Sequence, residues 1–250
     1  MIMLYVKNLH KSYKSGKKVY PVLKGVDMSV AQGEFVAVMG PSGSGKSTLL
    51  NCISCYIPFE KGTITLGGIE LKGLDENGLA KIRNEKLGFV FQDFMLLDVL
   101  TVQENILVPR IINGKTDSQS ALRADRLMNL FGIDHIRSKY PADISGGERQ
   151  RTAVARSLIN NPLMILADEP TGNLDSKSSQ TIIEAFENAR SKMHATILMV
   201  THDSYSASFC DRVILLKDGI VYRQMEKKQN RREFHDRLLE SIKEMSGDVL

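Results

Sequence analysis

The sequence predicts an α/β fold, and three features of its pattern support that prediction. A short apolar run rich in β-branched residues, Glu34–Met39, leads into a glycine-rich loop and then into a segment typical of a helix. Further apolar runs at 87–91, 163–168 and 196–200 end on polar residues, as the strands of an open sheet do. Between 93 and 158 the apolar residues recur at helical spacing instead, which indicates an inserted helical subdomain.

The glycine-rich loop, Gly40-Pro41-Ser42-Gly43-Ser44-Gly45-Lys46-Ser47-Thr48, fits the phosphate-binding pattern G-x-x-x-x-G-K-[ST]. Glycines allow the backbone to wrap closely around an anion, and the start of the following helix adds partial positive charge. Lys46 is placed for the β- and γ-phosphates and the Ser47 hydroxyl for Mg²⁺. The alternative is a flexible Gly/Ser turn, which chance would match to the pattern in about one such chain in a hundred. The loop therefore predicts nucleotide binding.

Composition and charge restrict the class of protein. The chain has 250 residues, of which 42% are hydrophobic and 25% charged, as in an ordinary soluble protein. Its net charge of +4, without a basic stripe interleaved with aromatic residues, argues against a nucleic-acid partner. The three cysteines suit a reducing compartment, and the apolar runs are shorter than the roughly 18–20 residues of a membrane span. Since the N-terminus also lacks a signal-peptide pattern, we expect a cytoplasmic protein that a partner brings to the membrane.

Antiparallel β-structure is predicted on both sides of the loop. Apolar residues alternate through 2–36 with a polar turn at 15–18, and glycines around 59–75 indicate a hairpin. A further hairpin is expected at 212–221. Tyr13 precedes the first turn, and its ring is either a half-buried strand residue or a platform that stacks on a purine.

Polar side chains end three of the predicted strands. Gln92 can reach a metal or an attacking water, and Asp168 can hold Mg²⁺. Glu169 points the opposite way and can polarise a water for attack on a γ-phosphate, while His202 ends the third strand. Each also has an ordinary interpretation: a polar strand end, a solvated acidic pair, a structural histidine. Ligands bind at the carboxyl ends of strands in open α/β sheets, so these residues converge if the strands are parallel neighbours.

A second glycine-containing loop, Ser145-Gly146-Gly147, directly precedes the helix-like segment 150–158. A serine and two glycines at the start of a helix leave N–H groups that can bind a second anion. The alternative is a simple N-cap followed by a glycine turn.

The C-terminal part is charged and amphipathic. Apolar residues at helical spacing predict a helix within 226–250; they are Phe234, Leu238, Ile242 and Met245. The basic residues near its start can face an anionic surface; they are Lys227, Lys228, Arg231 and Arg232. A solvated helix packed on the body of the protein is the interpretation that we favour.

These motifs occur in one order in the nucleotide-binding subunits of ABC transporters, which the chain resembles over nearly its full length. The resemblance implies a P-loop NTPase (RecA-like) core with an antiparallel β subdomain. It also implies an ATPase domain at 1–225, with the helical insertion at about 93–158, and a C-terminal helix at 226–250. The resemblance identifies the phosphate loop at 40–48 as the family's Walker A motif and the strand at 163–168, with Glu169 after it, as its Walker B motif. It identifies Gln92 as the Q-loop glutamine, 144–148 as the signature and 173–175 as the D-loop. His202 corresponds to the switch histidine, and Tyr13 to the aromatic residue that stacks on adenine.

The resemblance further implies ATP and Mg²⁺ as cofactors and a second copy of the chain as a partner. Two copies would pair head to tail, so that the Ser145–Gly147 loop of one caps the γ-phosphate held by Lys46 of the other. The signature departs from the common family pattern at Ile144 and Glu148, and a carboxylate is a poor neighbour for phosphates. The implied catalytic residues are Glu169, His202, Gln92 and Lys46; the metal ligands are Ser47, Gln92 and Asp168; and the ATP-binding residues are Tyr13, the loop 40–48, Ser145, Gly146, Gly147, Glu148 and Asp175.

A finer resemblance concerns the transported substrate. Segment 39–51 is similar to macrolide exporters and lipoprotein-releasing ATPases, and segment 88–106 to bacitracin-type exporters that resist antimicrobial peptides. Such ATPases work with one large permease, often with a sensor histidine kinase, and lie on the inner face of the cell membrane through the permease. An apolar patch expected either to dock that permease or to belong to the helical core is formed by Phe94, Met95, Leu96 and Leu97.

Other classes of protein share part of the pattern. A metabolite kinase would have the phosphate loop but would leave Ser145-Gly146-Gly147 unexplained. Repair ABC ATPases need a long coiled-coil insertion and translation factors carry two cassettes, and this sequence has neither. A lipoprotein-releasing, macrolide-export or signalling complex remains the alternative to peptide export.

Overall fold

The computed structural model describes residues 1–115, 117–228 and 230–247. They form two compact units: Met1–Leu79 with the described residues from Leu198 onward, and Ala80–Ile197. The strands are β1 (Ile2–Ser15), β2 (Lys18–Ala31), β3 (Phe35–Met39), β4 (Lys61–Leu66), β5 (Ile69–Glu70), β6 (Leu87–Phe91), β7 (Met164–Asp168), β8 (Ile197–Val200), β9 (Arg212–Lys217) and β10 (Ile220–Glu226). The helices are α1 (Lys46–Ile53), α2 (Glu76–Glu85), α3 (Val102–Ile112), α4 (Ser118–Leu130), α5 (Gly146–Leu158), α6 (Ser176–Met193), α7 (Ser204–Ala207) and α8 (Arg231–Ser246).

The first unit contains the predicted antiparallel sheet, with the strand order β2-β1-β4-β5. The long strand β1 pairs with β2 on one side and β4 on the other, so that Tyr5 lies opposite both Ser29 and Thr65. Leu4 and Val6 alternate with exposed residues and are fully buried, as one-sided packing of an antiparallel sheet requires. The predicted hairpins at 15–18 and 59–75 are confirmed.

The same unit holds a second sheet, in which β3 lies between β9 and β8 and the hairpin strand β10 flanks β9. β3 and β9 run parallel, with Val36 opposite Arg212. All five residues of β3 are buried, which explains why its sequence is a continuous apolar run instead of an alternating one. The loop after β3 therefore starts from a rigid, fully buried strand.

The second unit pairs β6 with β7 in parallel, with Phe91 opposite Asp168. The region predicted to be helical contains α3, α4 and α5, which confirms that prediction. α5 packs very closely on β6: a Cβ added at Gly88 would lie 2.3 Å from the carbonyl oxygen of Ser157. Only glycine allows that approach, so the helix that follows the second glycine loop is held directly against β6.

The C-terminal helix packs on the first unit, as we favoured. Phe234 and Leu238 are fully buried, and the guanidinium of Arg231 lies 4.4 Å from the ring centroid of Phe209. His235 Nε2 hydrogen-bonds with Ser204 Oγ at 3.1 Å, which joins α8 to α7. The predicted tail extends to 250, and its last three residues lie outside the described part. The predicted boundaries at 93, 158 and 226 stay predictions.

A helix that crosses a bilayer needs about 20 predominantly apolar residues. Within residues 1–115, 117–228 and 230–247, each helix is either too short or too polar to cross a membrane.

Candidate functional site

The glycine-rich loop of the first unit is built on close backbone approaches. A Cβ at Gly40 would lie 2.1 Å from the carbonyl oxygen of Leu216. Gly45 has a φ of +104°, and a Cβ there would lie 2.9 Å from Leu23 Cδ2. A side chain at Gly40 is therefore excluded by space, and one at Gly45 would be strained by the positive φ, with its Cβ also 3.2 Å from Val22 O. The loop keeps its course because β3, β9 and β2 surround it.

The helix that the loop leads into has an open N-terminus. Gly45 is its N-cap, and among the described residues no side chain caps its first turn. Lys46 Nζ donates hydrogen bonds to the carbonyl oxygens of Gly40 at 2.8 Å and Pro41 at 3.0 Å. The ammonium thus lies across the loop itself, close to the N–H groups of the helix start. A helix start without a side-chain cap, the helix dipole and a neighbouring cation are the features that bind a phosphate.

The remaining hydroxyls of the loop differ in exposure. Ser42 and Ser47 are exposed and Thr48 is half-buried, whereas Ser44 is buried and its Oγ bonds no described residue. The backbone of Ser44 is nevertheless fixed, because its carbonyl oxygen accepts from Gly219 N at 3.1 Å. Ser47, the predicted metal ligand, lies in the first turn of α1 where its hydroxyl is accessible.

Two further predicted residues of the first unit are exposed. Tyr13 lies on β1 opposite Tyr20, with the Lys11 ammonium 5.5 Å from its ring centroid, and 43% of its surface is exposed. The ring of Tyr13 is thus exposed, not half-buried. His202 follows β8, and the preceding Thr201 N donates to Val38 O at 3.2 Å. Their roles towards a nucleotide stay predictions.

In the second unit, the ends of β6 and β7 bring several predicted residues together. Phe91 lies opposite Asp168, so Gln92 follows one strand where Asp168 and Glu169 end the other. Glu169 has a φ of +46°, in the left-handed region that costs a non-glycine residue about 1–2 kcal/mol. Backbone strain of this kind is concentrated at functional positions. The ends of β6 and β7 therefore lie side by side as predicted, which brings Gln92 next to Asp168 and Glu169, while the convergence with His202 stays a prediction.

Gln92 is held by the predicted D-loop. Its Nε2 donates to Asn173 Oδ1 at 2.9 Å, and Asn173 Nδ2 donates to Asp93 Oδ1 at 2.8 Å. Asp175 caps α6, accepting from Ser178 N at 2.9 Å, and this bond lowers the pKa of the Asp175 carboxyl. In this structure the Asp175 carboxylate thus serves its own helix, and its predicted contact with ATP would need these bonds to change.

The second glycine loop is an N-cap, as the alternative interpretation predicted. Ser145 Oγ accepts from Glu148 N at 3.3 Å, and the Glu148 carboxylate accepts from Ser145 N at 2.8 Å and Ser145 Oγ at 2.7 Å. This is a complete capping box. The bonds from Ser145 lower the pKa of Glu148, and His135 Nε2 lies 3.4 Å from its Oε1. In this structure the Glu148 carboxylate is therefore hydrogen-bonded to Ser145, and its binding to ATP stays a prediction.

Comparison with known proteins assigns the family. A family profile described as ABC transporter matches residues 23–172. The chain belongs to the ABC transporter family. The predicted resemblance is confirmed, and with it the α/β fold of the family's ATPase cassettes. As an ABC ATPase, the protein hydrolyses ATP in connection with transport.

The relatives of this ABC ATPase cover nearly its whole length. It is 43% identical to the uncharacterized ABC transporter ATP-binding protein YvcR of Bacillus subtilis, over 99% of this chain and 96% of the relative. It is 45% identical to the bacitracin export ATP-binding protein BceA of Halalkalibacterium halodurans, over 93% and 92%. Among solved structures, the ADP- and Pi-bound dimeric cassette MJ0796 superposes with a TM-score of 0.81 and 40% identity, over 91% of this chain and 100% of that one. MJ0796 is a protein of Methanocaldococcus jannaschii.

Two side chains of the ABC ATPase that the sequence analysis did not single out hold this second-unit cluster in place. Gln150, on α5, is fully buried and bonds the backbone at the ends of both strands. Arg156 donates to the carbonyl oxygens of Phe94 and Met95, and burial lowers its pKa to about 10. A signal existed: both lie on the helix that follows the signature, and Gln150 lies on the same face as the apolar Val154.

Proposed function

We propose that two copies of this ATPase enclose each ATP and drive a membrane permease. The observation that carries the proposal is the pair of glycine loops, each placed at the start of a helix. One contains a lysine and an uncapped helix end, which suits the phosphates of a tightly bound nucleotide. The other presents a serine and glycines, which suits the γ-phosphate held by a second copy.

In the proposed reaction, the oxygen of a water forms a bond to the γ-phosphorus while the bond to the bridging oxygen of ADP breaks, and the proton of the water passes to the released phosphate or to solvent. Lys46 binds the β- and γ-phosphate oxygens, and Glu169 accepts hydrogen bonding from the water and orients it. His202 contacts the γ-phosphate from the end of β8. After phosphate is released, the second copy no longer contacts a γ-phosphate, and the pair of copies opens.

The proposed metal ligands are oxygen donors. Ser47 contributes a hydroxyl, Asp168 a carboxylate and Gln92 an amide oxygen, and hard cations such as Mg²⁺ prefer this donor set. The amide nitrogen of Gln92 is bonded to Asn173, which orients the amide group. Mg²⁺ would supply neutralisation of the phosphate charge, and the protein residues do the binding and orientation.

Replacing the proposed catalytic carboxylate tests the two-copy scheme. Glu169→Gln keeps the shape of the side chain but weakens its attraction for a water proton, so we expect an ATP-bound dimer that persists. Size-exclusion chromatography at saturating ATP measures this directly. Glu240→Gln, an exposed acid on α8, is the matched control and should behave like the unmodified protein. A Glu169→Gln protein that stays monomeric with ATP would count against the scheme.

The docking surface for the permease is proposed to be the loop between β6 and α3. Met95, Leu97 and Val99 are 58%, 47% and 83% exposed, which is unusual for large apolar side chains in one short segment. Phe94 and Met95 both have positive φ values, and Arg156 holds their carbonyl oxygens. The half-buried Phe94 and Leu96 thus anchor a loop that presents apolar groups outward. The protein would lie on the inner face of the membrane through this contact.

A substitution in this loop tests the docking proposal. Leu97→Asp should prevent copurification with the permease of the same transporter while ATP binding stays normal. Ile112→Asp is the matched control, because Ile112 is an exposed apolar residue on α3 outside the loop. Normal copurification of the Leu97→Asp protein would contradict the proposed surface.

The substrate proposed is an antimicrobial peptide of the bacitracin type, and the transporter would export or remove it. The similarity to BceA, whose name assigns it to bacitracin export, supports this proposal. Deleting the gene should lower the peptide concentration that inhibits growth, and the Glu169→Gln variant should fail to restore it. Sensitivity to macrolides alone, or a defect in lipoprotein release, would favour the alternative complexes. Intact ATPase activity without transport would favour signalling through a sensor histidine kinase.

A further inference from the structure

Gln150 occupies an unusual position for an amide side chain. It lies on α5, one turn and a half after the Ser145 cap, and none of its surface is exposed. Long polar side chains are rarely buried to this extent, because removing their polar atoms from water costs free energy unless hydrogen bonds to the protein replace the lost ones. The neighbouring residues on this helix, Ala153 and Val154, are small and apolar, and an apolar residue at 150 would fit the same pattern.

The amide nitrogen of Gln150 joins the two strand ends of the candidate site. Gln150 Nε2 donates to Phe91 O at 3.2 Å and to Pro170 O at 2.7 Å. Phe91 directly precedes Gln92, and Pro170 directly follows Glu169 with its positive φ. One side chain of the signature helix therefore fixes the backbone next to both residues that are expected to act on the metal and the water.

The acceptor half of the amide is not used in the same way. Gln150 Oε1 is buried and bonds none of the described residues. If the amide of Gln150 served only the stability of the fold, we would expect both its nitrogen and its oxygen to be hydrogen-bonded, because a buried unpaired oxygen is unfavourable. The amide of Gln150 therefore acts through its N–H donors, and its acceptor oxygen is not used.

We propose that Gln150 is a positioning residue that couples the signature loop to the hydrolytic residues of its own copy. When the start of α5 takes the γ-phosphate of the partner's nucleotide, the helix moves as a rigid body. Its movement passes through the Gln150 amide to the backbone at Phe91 and Pro170. Gln92 and Glu169 then reach their working positions only when the two copies have closed. The proposal rests on the proposed function, because it takes the roles of Gln92 and Glu169 from it.

Gln150→Met tests this coupling. Methionine keeps about the length of the side chain and removes both the donors and the unpaired oxygen. Phe91 O keeps the bond from Phe94 N, whereas Pro170 O loses the Gln150 donor, so we expect some loss of thermal stability in a protein that still folds. We expect kcat to fall about tenfold or more, because a displacement of a catalytic group by about 1 Å can cost about a hundredfold in rate. The KM for ATP should stay within about twofold, and the Gln150→Met/Glu169→Gln protein should still dimerise with ATP.

The matched control is Thr152→Val on the same helix. Thr152 is also fully buried, but its Oγ1 donates only within the helix, to Glu148 O at 2.8 Å. This variant should retain the kcat of the unmodified protein. If Gln150→Met does not fold, Gln150→Asn keeps the amide one methylene shorter, and the same separation of kcat from KM is expected.

Two results would overturn the proposal. One is a folded Gln150→Met protein with normal kcat. The other is a parallel loss of kcat, ATP-driven dimerisation and thermal stability, which a merely structural role would produce. Failure of the proposed function itself has a different signature: Glu169→Gln would then hydrolyse ATP normally, whatever the Gln150 variants do.

Discussion

The two glycine loops of this protein both end at the start of a helix, but the two helix starts differ in how they are capped. The first turn of α1 follows Gly45 and is capped by no side chain among the described residues. The first turn of α5 is closed by the reciprocal bonds of Ser145 and Glu148. The start of α1 has no side-chain cap for a phosphate to displace, whereas a phosphate at the start of α5 must replace a capping hydrogen bond.

This difference suggests an order of events. In the proposed scheme, a nucleotide would first bind at α1 of its own copy, where Lys46 lies across the loop. The hydroxyl of Ser145 donates to Glu148, and in the proposed scheme it would turn to the γ-phosphate only when two copies pair. The capping box therefore holds the second loop in shape before closure and sets a modest cost on closing too early.

The largest expected effect comes from breaking the open helix start. Gly45→Ala puts an L residue at a φ of +104°, which strains the loop backbone, and its Cβ would also lie 3.2 Å from Val22 O. We expect ATP affinity to fall at least about a hundredfold. Gly132→Ala is the control, since Gly132 also has positive φ but its Cβ would meet nothing within 4 Å. Equilibrium binding of a fluorescent ATP analogue measures both, and equal affinities in the two variants would show that the geometry of Gly45 is unimportant.

A second, smaller effect is expected from opening the closed helix start. Ser145→Ala removes the cap and the proposed γ-phosphate donor, so hydrolysis should fall about a hundredfold while ATP still binds the single copy. Thr101→Ala is closely matched, because Thr101 and Glu104 form the same capping box on α3, with Glu104 N at 3.3 Å from Thr101 Oγ1.

Both capping variants should lose about 1 kcal/mol of stability, as helix caps generally contribute. Thermal unfolding and ATPase rates together separate the two roles of Ser145. An equal loss of activity in Thr101→Ala would mean that capping alone explains the effect of Ser145→Ala.

The smallest effect is expected for the carboxylate of the capping box. The N–H and O–H of Ser145 hold the pKa of Glu148 below its usual value of 4.5. A lowered pKa in the folded state gives stability that is full above 4.5 and is lost as the pH falls through the folded-state pKa. Glu148→Gln keeps the box but does not titrate, so its unfolding midpoint should vary less with pH below 4.5.

The charged neighbours of Glu148 are His135 and Arg151, and both remain in the variant. Its ATPase rate at neutral pH should stay within a few-fold of normal, because glutamine forms the same cap. If the unfolding midpoint of Glu148→Gln varied with pH as much as that of the unmodified protein, the hydrogen bonds from Ser145 would not lower the pKa of Glu148.

Much of the fold was predictable because the patterns are strong. Continuous apolar runs mark β3 and β7, alternation marks β1, and the glycine of each phosphate-type loop follows a strand or precedes a helix. The sequence pattern of a capping box, a serine followed three residues later by a glutamate, also marks the start of α5. Local rules settle such features without knowledge of the rest of the chain.

The contacts that tie the candidate site together were not predictable in the same way. Gln150 and Arg156 bond backbone carbonyls more than 50 positions earlier in the chain, near Phe91 and Met95. No local pattern marks a polar residue on a buried helix face as a link to a distant strand end. The left-handed backbone of Glu169 likewise depends on the turn that its carbonyl forms with Gly172 N.

The most direct test of the central claim is to mix two inactive variants. Lys46→Ala loses the phosphate cation of α1, and Ser145→Ala loses the donor of α5. If each ATP is enclosed by the loop of one copy and the signature of another, a mixed pair contains one site with both groups intact. We therefore predict that mixing restores ATP hydrolysis above the sum of the separate activities. Activity that never exceeds that sum, at any ratio of the two proteins, would contradict the account.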